Sequence, residues 1–481
     1  MIFSINNIGI IKSAEVKVDG LTVISGANNS GKTTVGKALY SVSSATEDLA
    51  KNQERDRGIA LCNRLHEMMR PYELLMEIYD EICWNRDYMA QHEEDIALQI
   101  NMLQMFGYGE DREWIYYVDL LNRFYQSIKN DEFYDCVIQD VKSIKQMPEE
   151  LLHEVAEEWE SNKPYTLKQC ELALEFVNSV PSKEEFALKM IDGVLKEEFS
   201  GQVQSMTLRN EVEESSYLKL YNGKKEYFNI CLKNHTVDIK SSRFDESYFK
   251  QGYFVDDPYI IENKVNRSDT VYRRTKKKSY FKSTIIPHRD KMNLWMKKNI
   301  EVERGISETL YREKQIADVM EKINSIVPGD IVGDTYINAG RKLKVTNLAT
   351  GFKVFSIIKN ILEKGNIDEQ SLLVLDEPES HLHPKWINAL AEVIVLLVKE
   401  CNITVLLTTH SPNFLLAIDA LMRKYDIREK CHFYQTETIE NDFRVNYVEK
   451  TDELDDVYAE YAKAFSEMNA LRKKYMGLGG D

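Results

Sequence analysis

Long apolar runs, paired cysteines and an export signal are all missing from this sequence of 481 residues. No apolar run approaches the roughly 20 residues that a membrane span needs, so we expect no membrane-embedded segment. Residues 1–7 show neither the basic start nor the apolar core of a signal peptide. The seven cysteines contain no C-x-x-C pair, which argues against a disulfide framework and against a zinc site. We therefore expect a cytoplasmic protein with free thiols.

A net positive charge is also missing, since 78 acidic residues outnumber 62 basic ones and the formal net charge is −16 at pH 7. That net charge argues against a protein that binds nucleic acid over much of its surface. One dense basic run, flanked by Tyr272 and Tyr280, is nevertheless a candidate contact for DNA phosphates or for a partner. A solvated loop, or a loop that docks onto the acidic residues between 45 and 200, explains the run equally well. The run consists of Arg273, Arg274, Lys276, Lys277 and Lys278.

The most specific motif is a glycine-rich loop at residues 26–34, which fits G-x-x-x-x-G-K-[ST]. A β-branched run precedes it and a helical stretch follows, which is the strand–loop–helix context that a phosphate loop needs. Backbone N–H groups of such a loop surround a phosphate, and the helix N-terminus adds partial positive charge. Lys32 can then reach the β- and γ-phosphates of ATP, and Thr33 offers a hydroxyl to Mg²⁺. The nucleotide-binding candidates here are Gly26, Asn28, Asn29, Ser30, Gly31, Lys32, Thr33 and Thr34.

The second motif is a buried-strand pattern that ends in two acids. Residues 372–375 form an apolar run typical of a parallel sheet, and Asp376 and Glu377 follow it. Ligands of open α/β sheets bind beyond the carboxyl ends of the strands, so Asp376 is a candidate to hold Mg²⁺ through water. Glu377 is then a candidate catalytic group that orients or deprotonates the attacking water. The alternative, a solvated strand end, is weaker beside a phosphate loop.

Two further segments carry candidate site residues. Residues 403–409 form another β-branched strand, and it ends at His410, which can reach the γ-phosphate and report its loss. A lone histidine is more often structural, but this one follows the strand after the two acids. Thr350 and Gly351 open a helix that extends to about residue 362, and a helix N-terminus can face an anion. A plain helix cap is the alternative for these two residues.

Residues 45–202 have the pattern of a helical insertion. Glycine is scarce there, and apolar residues recur at helical spacing without a sustained heptad. Breaks near residues 105–109, at Lys163-Pro164 and at residues 180–182 predict several helices. The chain would then consist of a discontinuous head, residues 1–44 and 203–481, and this insertion.

Strand patterns occupy the flanks of the head. Asp19-Gly20 predicts the turn of a β-hairpin that leads into the phosphate-loop strand, and Asn222-Gly223 predicts a second hairpin turn. Residues 246–278 are polar and predict a loop-rich connection, and mostly helix follows to residue 334. Further predictions are a short strand at 342–345, a helix at 414–424, a strand pair at 431–448 and an amphipathic helix at 452–475.

Together, and in this order, the motifs resemble the ABC-type ATPase heads of RecF, the SMC proteins and the OLD-type ATPases. The run from Asp376 to Pro384 has the D-E-P-E-x-x-L-H-P form of the RecF and OLD branch, which argues against transporter subunits. Within that branch the chain is similar to stand-alone ATPases of bacterial anti-phage systems, such as the Septu and PARIS ATPases. The resemblance covers residues 1–44 and 203–450. It implies an α/β fold, with a mixed sheet around a P-loop core, an antiparallel β lobe and a large helical insertion.

The resemblance also implies a mechanism in which two heads form a homodimer around two ATP molecules with Mg²⁺. By this resemblance Gly351 is the signature glycine that meets the phosphate loop of the other head. Glu377 is the catalytic base and His410 the switch histidine. His383 lies where the chain would approach the partner head.

Two positions depart from the pattern of that family. Ala349 stands where the family usually has serine, and the hydroxyl of Thr350 is the neighbouring substitute. Without such a substitute, γ-phosphate sensing by the partner head would be weak and turnover slow. The glutamine that normally follows the central strand is also not evident. Gln251, or the pair His288 and Arg289, are candidates to replace it.

Three functions are compatible with these observations. The leading hypothesis is an ATPase whose ATP-gated head dimer controls a separate effector, of nuclease type, in anti-phage defence. The second is a RecF-like repair ATPase that clamps DNA, which the basic run favours and the acidic balance opposes. The third is a scaffold that binds ATP without hydrolysing it, for which Ala349 is the only support.

Overall fold

The structure, a computed structural model, describes residues 1–83, 95–100, 113–144, 147–205, 215–262, 285–297, 306–365, 367–440 and 442–475. These residues form two compact units, each with its own core. The head unit contains residues 1–47, 184–262 and 285–475, and the helical unit contains residues 48–183. Among the helices of these residues, none combines the length and the apolarity that crossing a bilayer requires.

The described strands of the head unit form one large sheet and one small sheet. The large sheet has 12 strands in the order β6-β5-β4-β1-β2-β15-β14-β3-β13-β12-β8, with β7 paired to β5, and the small sheet has the order β11-β10-β9. The strands are β1 (Ile2–Ile8), β2 (Ile11–Lys17), β3 (Leu21–Ser25), β4 (Ser216–Asn222), β5 (Lys225–Lys233), β6 (Thr236–Val237), β7 (Arg243–Phe244), β8 (Gln251–Val255), β9 (Asp330–Val332), β10 (Thr335–Asn338), β11 (Arg341–Lys344), β12 (Ser371–Asp376), β13 (Thr404–Thr409), β14 (Cys431–Thr438) and β15 (Val445–Glu449).

Described helices of the head unit, α1 and α8 among them, pack on the parallel part of the large sheet, and α2–α6 build the helical unit. The helices are α1 (Lys32–Thr46), α2 (Leu49–Met69), α3 (Glu73–Cys83), α4 (Trp114–Lys129), α5 (Glu132–Ile144), α6 (Glu149–Asn178), α7 (Lys183–Glu198), α8 (His288–Lys297), α9 (Ile306–Asn324), α10 (Thr350–Lys364), α11 (Pro384–Cys401), α12 (Pro412–Lys424) and α13 (Leu454–Tyr475).

The parallel strands β14, β3, β13, β12 and β8 bring distant parts of the chain to one edge. Ser25 at the end of β3 pairs with Thr409 at the end of β13, and Thr408 pairs with Asp376 at the end of β12. These strands are buried on both faces, as parallel strands covered by helices are. The carboxyl ends of β3, β12 and β13 therefore lie side by side, and the predicted α/β class with a mixed sheet is confirmed.

The predicted hairpin across Asp19-Gly20 is wrong. β2 and β3 are not neighbours, because β15 and β14 lie between them in the sheet. The hairpin at the amino terminus instead joins β1 to β2, with Ile8 paired to Ile11. The second predicted hairpin is confirmed, since β4 and β5 pair around Gly223, which has a φ of 57°.

Residues 184–202, whose pattern is helical like that of the insertion, lie in the head unit. Two carboxylates of α7 accept backbone hydrogen bonds from strands of the head. Glu184 accepts from Phe244 N at 3.2 Å, and Asp192 accepts from Val237 N at 2.8 Å. These bonds satisfy edge-strand donors, so α7 packs with the antiparallel part of the sheet.

The helical unit contains most of residues 45–202, the range predicted as a helical insertion. Its core is aromatic, with Tyr72, Trp159 and Phe133 all buried and in ring contact. The break at residues 180–182 is confirmed, since α6 ends at Asn178 and α7 begins at Lys183. The break at Lys163-Pro164 is wrong, because α6 continues through Pro164. The break near residues 105–109 lies outside the described residues.

The loop predicted over residues 246–278 is partly wrong, because it contains β8. This strand is short and pairs in parallel with β12, far along the chain. The small sheet β9-β10-β11 confirms the short strand near 342–345, while β9 and β10 were not predicted. The strand pair β14-β15 and the helices α12 and α13 confirm the expectations for the last part of the chain. Buried thiols of Cys170, Cys401 and Cys431 are free, as expected.

Candidate functional site

The phosphate loop connects β3 to α1 and depends on two glycines for its shape. Gly31 caps α1 with a φ of 74°, and no side chain accepts from the first turn of that helix. A Cβ at Gly26 would lie 1.9 Å from Thr436 Oγ1. Thr436 donates to Ser30 Oγ at 2.7 Å, and Ser30 donates to Ala27 O at 2.7 Å. The loop therefore presents the N-terminal amides of α1 to an anion, as a phosphate site requires.

Lys32 is almost fully buried within this loop. Its Nζ donates to Ala27 O at 2.7 Å and to Gly26 O at 3.1 Å. The same ammonium lies 3.4 Å from Glu377 Oε1. The loop carbonyls and one carboxylate thus hold the cation at the mouth of the loop.

Asp376 faces the phosphate loop from the end of β12. Thr33 Oγ1 donates to Asp376 Oδ2 at 2.8 Å, and Thr408 Oγ1 donates to Oδ1. Burial raises the pKa of Asp376, and the hydroxyls of Thr408 and Thr33 only partly oppose it. A buried carboxylate beside a hydroxyl is a donor set that suits a hard divalent cation.

Glu377 turns its carboxylate toward two basic groups. Its backbone is left-handed, with a φ of 47°, and its N–H donates to Thr408 Oγ1 at 3.0 Å. Oε2 lies 3.1 Å from Nδ1 of His410, and Oε1 faces Lys32. Strain in a bulky residue at the end of a buried strand is common at functional sites, and here it directs the carboxylate into the cleft.

His410 is bracketed by a short chain of hydrogen bonds. Ser411 N donates to Thr409 Oγ1 at 3.0 Å, and Thr409 Oγ1 donates to Glu379 Oε1. Glu379 is 3% exposed, its Oε2 has no hydrogen-bond partner, and burial raises its pKa. Sequence reasoning missed Glu379 as a site residue, although it stands within the D-E-P-E motif.

Next to these groups lies one cleft of about 560 Å³, which Gly26 does not line. The phosphate loop forms one side and Asp376 and Glu377 another. Gly9, Ile10, Lys37 and residues 198–200 close the remainder. Of the candidates from the sequence, residues 28–34, 376 and 377 line this cleft, and His410 contacts it through Glu377.

Thr350 and Gly351 do not line the cleft and begin α10, as predicted. Thr350 Oγ1 lies 3.1 Å from Tyr259 Oη, and Ala349 is the N-cap, which has no side chain able to cap. A Cβ at Gly351 would lie 2.5 Å from Cε3 of Trp386. Glycine is therefore required there by packing alone, whatever its role toward a partner.

The residues proposed to replace the missing glutamine lie in different places relative to the end of β8. Gln251 begins β8, at the end of the strand away from the carboxyl ends, so it does not follow the strand. Asp256 follows β8 instead, and Arg289 donates to it at 2.8 Å. His288 lies 3.1 Å from the same carboxylate. Sequence reasoning missed Asp256 because β8 itself was not recognised.

The other predicted contacts lie elsewhere. His383 caps α11 by accepting from Lys385 N at 3.3 Å. The basic run at residues 273–278 lies outside the described residues.

The residues of the cleft fit ATP with Mg²⁺. A Cβ could not be accommodated at Gly26, the first turn of α1 has no side-chain cap, and Lys32 lies at the mouth of the loop. Thr33 and Asp376, already in contact, are the residues that would hold the metal. The donor set is made of oxygens only, which Mg²⁺ prefers.

Known proteins were compared with the chain by sequence and by structure. Residues 243–417 match the family model described as "AAA domain, putative AbiEii toxin, Type IV TA system". This match covers less than half of the chain. It includes Asp376, Glu377 and His410, but not the phosphate loop.

Among solved structures, the chain is similar to an SMC head domain from Thermotoga maritima, with 13% identity and a TM-score of 0.25. That match covers 55% of this chain and 85% of the other. A second is the Smc head domain with an extended coiled coil, bound to the C-terminal domain of ScpA, from Pyrococcus furiosus. It has 12% identity and a TM-score of 0.29, over 96% of this chain and 98% of the other. At these TM-scores neither likeness bears on the function of this chain.

Proposed function

We propose that the protein binds ATP at the phosphate loop and hydrolyses it to ADP and phosphate. The observation that carries this proposal is the meeting of Thr33 and Asp376 across the cleft, at 2.8 Å. Around that contact, the carboxylate of Glu377 lies between the ammonium of Lys32 and the imidazole of His410. The match of residues 243–417 to an AAA-domain family supports the same reading.

In this proposal the side chains at the cleft have distinct tasks. The amides at the start of α1 bind phosphate oxygens, and Lys32 moves from the loop carbonyls to the β- and γ-phosphates. Glu377 orients the attacking water and accepts its proton. His410 holds the Glu377 carboxylate and contacts the γ-phosphate. Mg²⁺, when bound by Thr33 and Asp376, neutralises charge that develops on the phosphate oxygens.

We further propose that ATP closes a homodimer of heads, with Thr350 and Gly351 facing the phosphate loop of the partner copy. The start of α10 supports this, because Ala349 leaves its amides without a side-chain cap. The dimer would control a separate effector of nuclease type, in bacterial anti-phage defence and in the cytoplasm. Support for that role comes from the toxin-related description of the matching family and from the motif resemblance.

Lys32→Ala tests the binding half of the proposal. Equilibrium binding of a fluorescent ATP analogue and phosphate release are measured for wild type and variant. Lys17→Ala is the control, since Lys17 is also a paired lysine of the head but is exposed and bonds Glu449. We expect binding and turnover in wild type and in the control, and their loss in Lys32→Ala. Equal binding by all three proteins would contradict the assignment of the cleft.

A further inference from the structure

A buried histidine lies behind the cleft and contacts two carboxylates. His288, at the start of α8, is 6% exposed. Its Nδ1 lies 2.6 Å from Glu198 Oε2, and its backbone N donates to Glu198 Oε1 at 2.8 Å. On the other side of the ring, Nε2 lies 3.1 Å from Asp256 Oδ1. The ring therefore bridges α7 and the end of β8.

The neighbouring carboxylates have the larger effect on the pKa of His288. Burial alone would lower the pKa of His288, but the carboxylates of Asp256 and Glu198 outweigh it and raise that pKa. Burial would raise the pKa of Asp256, yet His288 and Arg289 lower it to about 2. The two carboxylates that the ring contacts thus favour its protonated, cationic form. The contact of Nε2 with Asp256 lacks hydrogen-bond geometry, so attraction between charges holds that side.

Glu198 belongs to the wall of the cleft. We call residues 198–200 the cleft wall, because all three line the cleft beside the phosphate loop. Lys37, in α1, donates to Glu198 O at 3.5 Å, and Ser200 has a left-handed φ of 51°. A turn with an unfavourable backbone conformation needs such contacts to keep its shape. His288 supplies the strongest of them, two hydrogen bonds to one buried carboxylate.

Asp256 does not line the cleft but lies next to its metal end, beside Asp376. Val255 pairs with Leu375, so Asp256 and Asp376 leave adjacent parallel strands side by side. Burial is the main cause of the raised pKa of Asp376, and the charges of Glu377 and Asp256 add to it. The cation on His288 therefore offsets negative charge close to the place where phosphates and metal would bind.

We propose that His288 is a positioning residue for nucleotide: it joins the cleft wall at Glu198 to Asp256 beside Asp376 and offsets their negative charge. This inference rests on the proposed nucleotide-binding function of the same cleft. The residue touches neither nucleotide nor metal. Its effect is exerted through Glu198 and Asp256.

If His288 acts through its charge, its loss should change how nucleotide binding depends on Mg²⁺. A loss of protein stability alone would not have that effect. Without the imidazolium, two carboxylates near the triphosphate site are less compensated and repel an anionic nucleotide. Mg²⁺ neutralises part of the phosphate charge, so the repulsion is smaller in its presence. Loss of His288 should then weaken binding more without Mg²⁺ than with it.

Binding of fluorescent ADP to the full-length protein tests this, in excess Mg²⁺ and in EDTA. The variants are His288→Ala and His288→Gln. We expect His288→Ala to weaken binding in EDTA by about tenfold, the size of one lost charge-assisted contact. In Mg²⁺ the loss is clearly smaller. His288→Gln, which can still bond Glu198, shows the same dependence on Mg²⁺ with a smaller loss.

The matched control is His432→Ala. His432 also pairs with a carboxylate, Asp19, at 2.7 Å. It lies at the beginning of β14, beside Thr22 and away from the phosphate loop at the end of β3. Its loss should lower thermal stability without altering ADP binding in either condition.

The outcomes separate the two proposals. Equal weakening of ADP binding by His288→Ala in Mg²⁺ and in EDTA would reduce His288 to a structural residue and overturn the inference. Unchanged binding in a folded variant would overturn it as well. If wild type itself fails to bind nucleotide in Mg²⁺, the proposed function fails, whatever the variants do.

Discussion

In the proposed mechanism, the side chain of Glu377 has to be oriented before it acts on water. Lys32 and His410 hold its two carboxylate oxygens at 3.4 Å and 3.1 Å, and the left-handed backbone directs it into the cleft. The same contacts keep Lys32 close to the loop carbonyls. Movement of Lys32 toward phosphates would therefore leave Glu377 paired with His410 alone, ready to accept a proton.

Glu377→Gln separates hydrolysis from binding. The amide keeps the shape of the side chain but cannot act as a base, so phosphate release should fall roughly 10²- to 10⁴-fold. Binding of a fluorescent ATP analogue should be retained, since Lys32 and the loop amides are unchanged. A variant with wild-type turnover would remove Glu377 from its proposed role.

Glu379 offers a second test at this scale. Its carboxyl accepts from Thr409 and so fixes the turn that carries His410. Glu379→Gln keeps an acceptor at that position, and turnover should stay within about threefold of wild type. Glu379→Ala leaves Thr409 without its acceptor, and turnover should fall about tenfold or more. Phosphate release at saturating ATP measures both, and equal rates for the two variants would contradict this role.

Helix α10, whose first residues are proposed to face the partner copy, has a packing role within the head. Gly351 lies against Trp386 of α11, and Trp386 also contacts Phe352 and Phe355. Lys353, 3% exposed in its side chain, pairs with Glu262. The start of α10 is thus fixed within the head before any partner is considered.

Gly351→Ala should destabilise the head by about 1–3 kcal/mol, because the added methyl overlaps the Trp386 ring. Urea unfolding measures the change. The double variant Gly351→Ala with Trp386→Leu should recover part of the loss, since the smaller side chain makes room. If Gly351→Ala is as stable as wild type, the helix can shift to make room for the methyl group. Packing against Trp386 would then not explain the glycine, and only a functional reason would remain.

Three helices meet at Glu392 of α11, and their contacts depend on pH. Burial would raise the pKa of Glu392, but hydrogen bonds from Lys322, Lys424 and Tyr425 lower it to about 2. The folded-state pKa lies below the unfolded value, so this stabilisation is present above the unfolded pKa. It is lost as pH falls from about 4.5 toward 2.

Glu392→Gln should therefore lower the free energy of unfolding by about 2 kcal/mol at pH 7. The difference from wild type should shrink steadily as pH falls from about 5 to about 2. Denaturant unfolding at several pH values checks this. A difference that is independent of pH would mean that the charge of Glu392 contributes nothing.

The elements also show what could be predicted from the sequence. β3, β12 and β13 are apolar and β-branched, and the phosphate loop, the two acids and His410 stand at or just after their ends, so pattern alone indicated them. β8 could not be recognised, because a short parallel strand is defined by its partner β12 and its surroundings are polar. Asp256 was missed for the same reason, whereas Glu198 was missed because its helical pattern assigned it to the insertion although it lies in the head unit. Pro164 indicated a break that the continuous helix α6 overrides.

At the scale of the whole molecule, the two units have separate cores. All the residues of the cleft belong to the head unit, which is assembled from three stretches of the chain. Thr350 and Gly351 lie outside this cleft. A complete site, in our proposal, therefore needs the α10 of a second copy.

The most direct measurement is the molar mass of wild type and of Glu377→Gln by light scattering. Each protein is measured with and without ATP and Mg²⁺, and phosphate release is recorded in parallel. We expect turnover by wild type alone and an ATP-dependent increase in mass that persists in Glu377→Gln, as the proposed ATP-driven head dimer requires. A single, unchanged mass for both proteins, with no phosphate released by either, would contradict it.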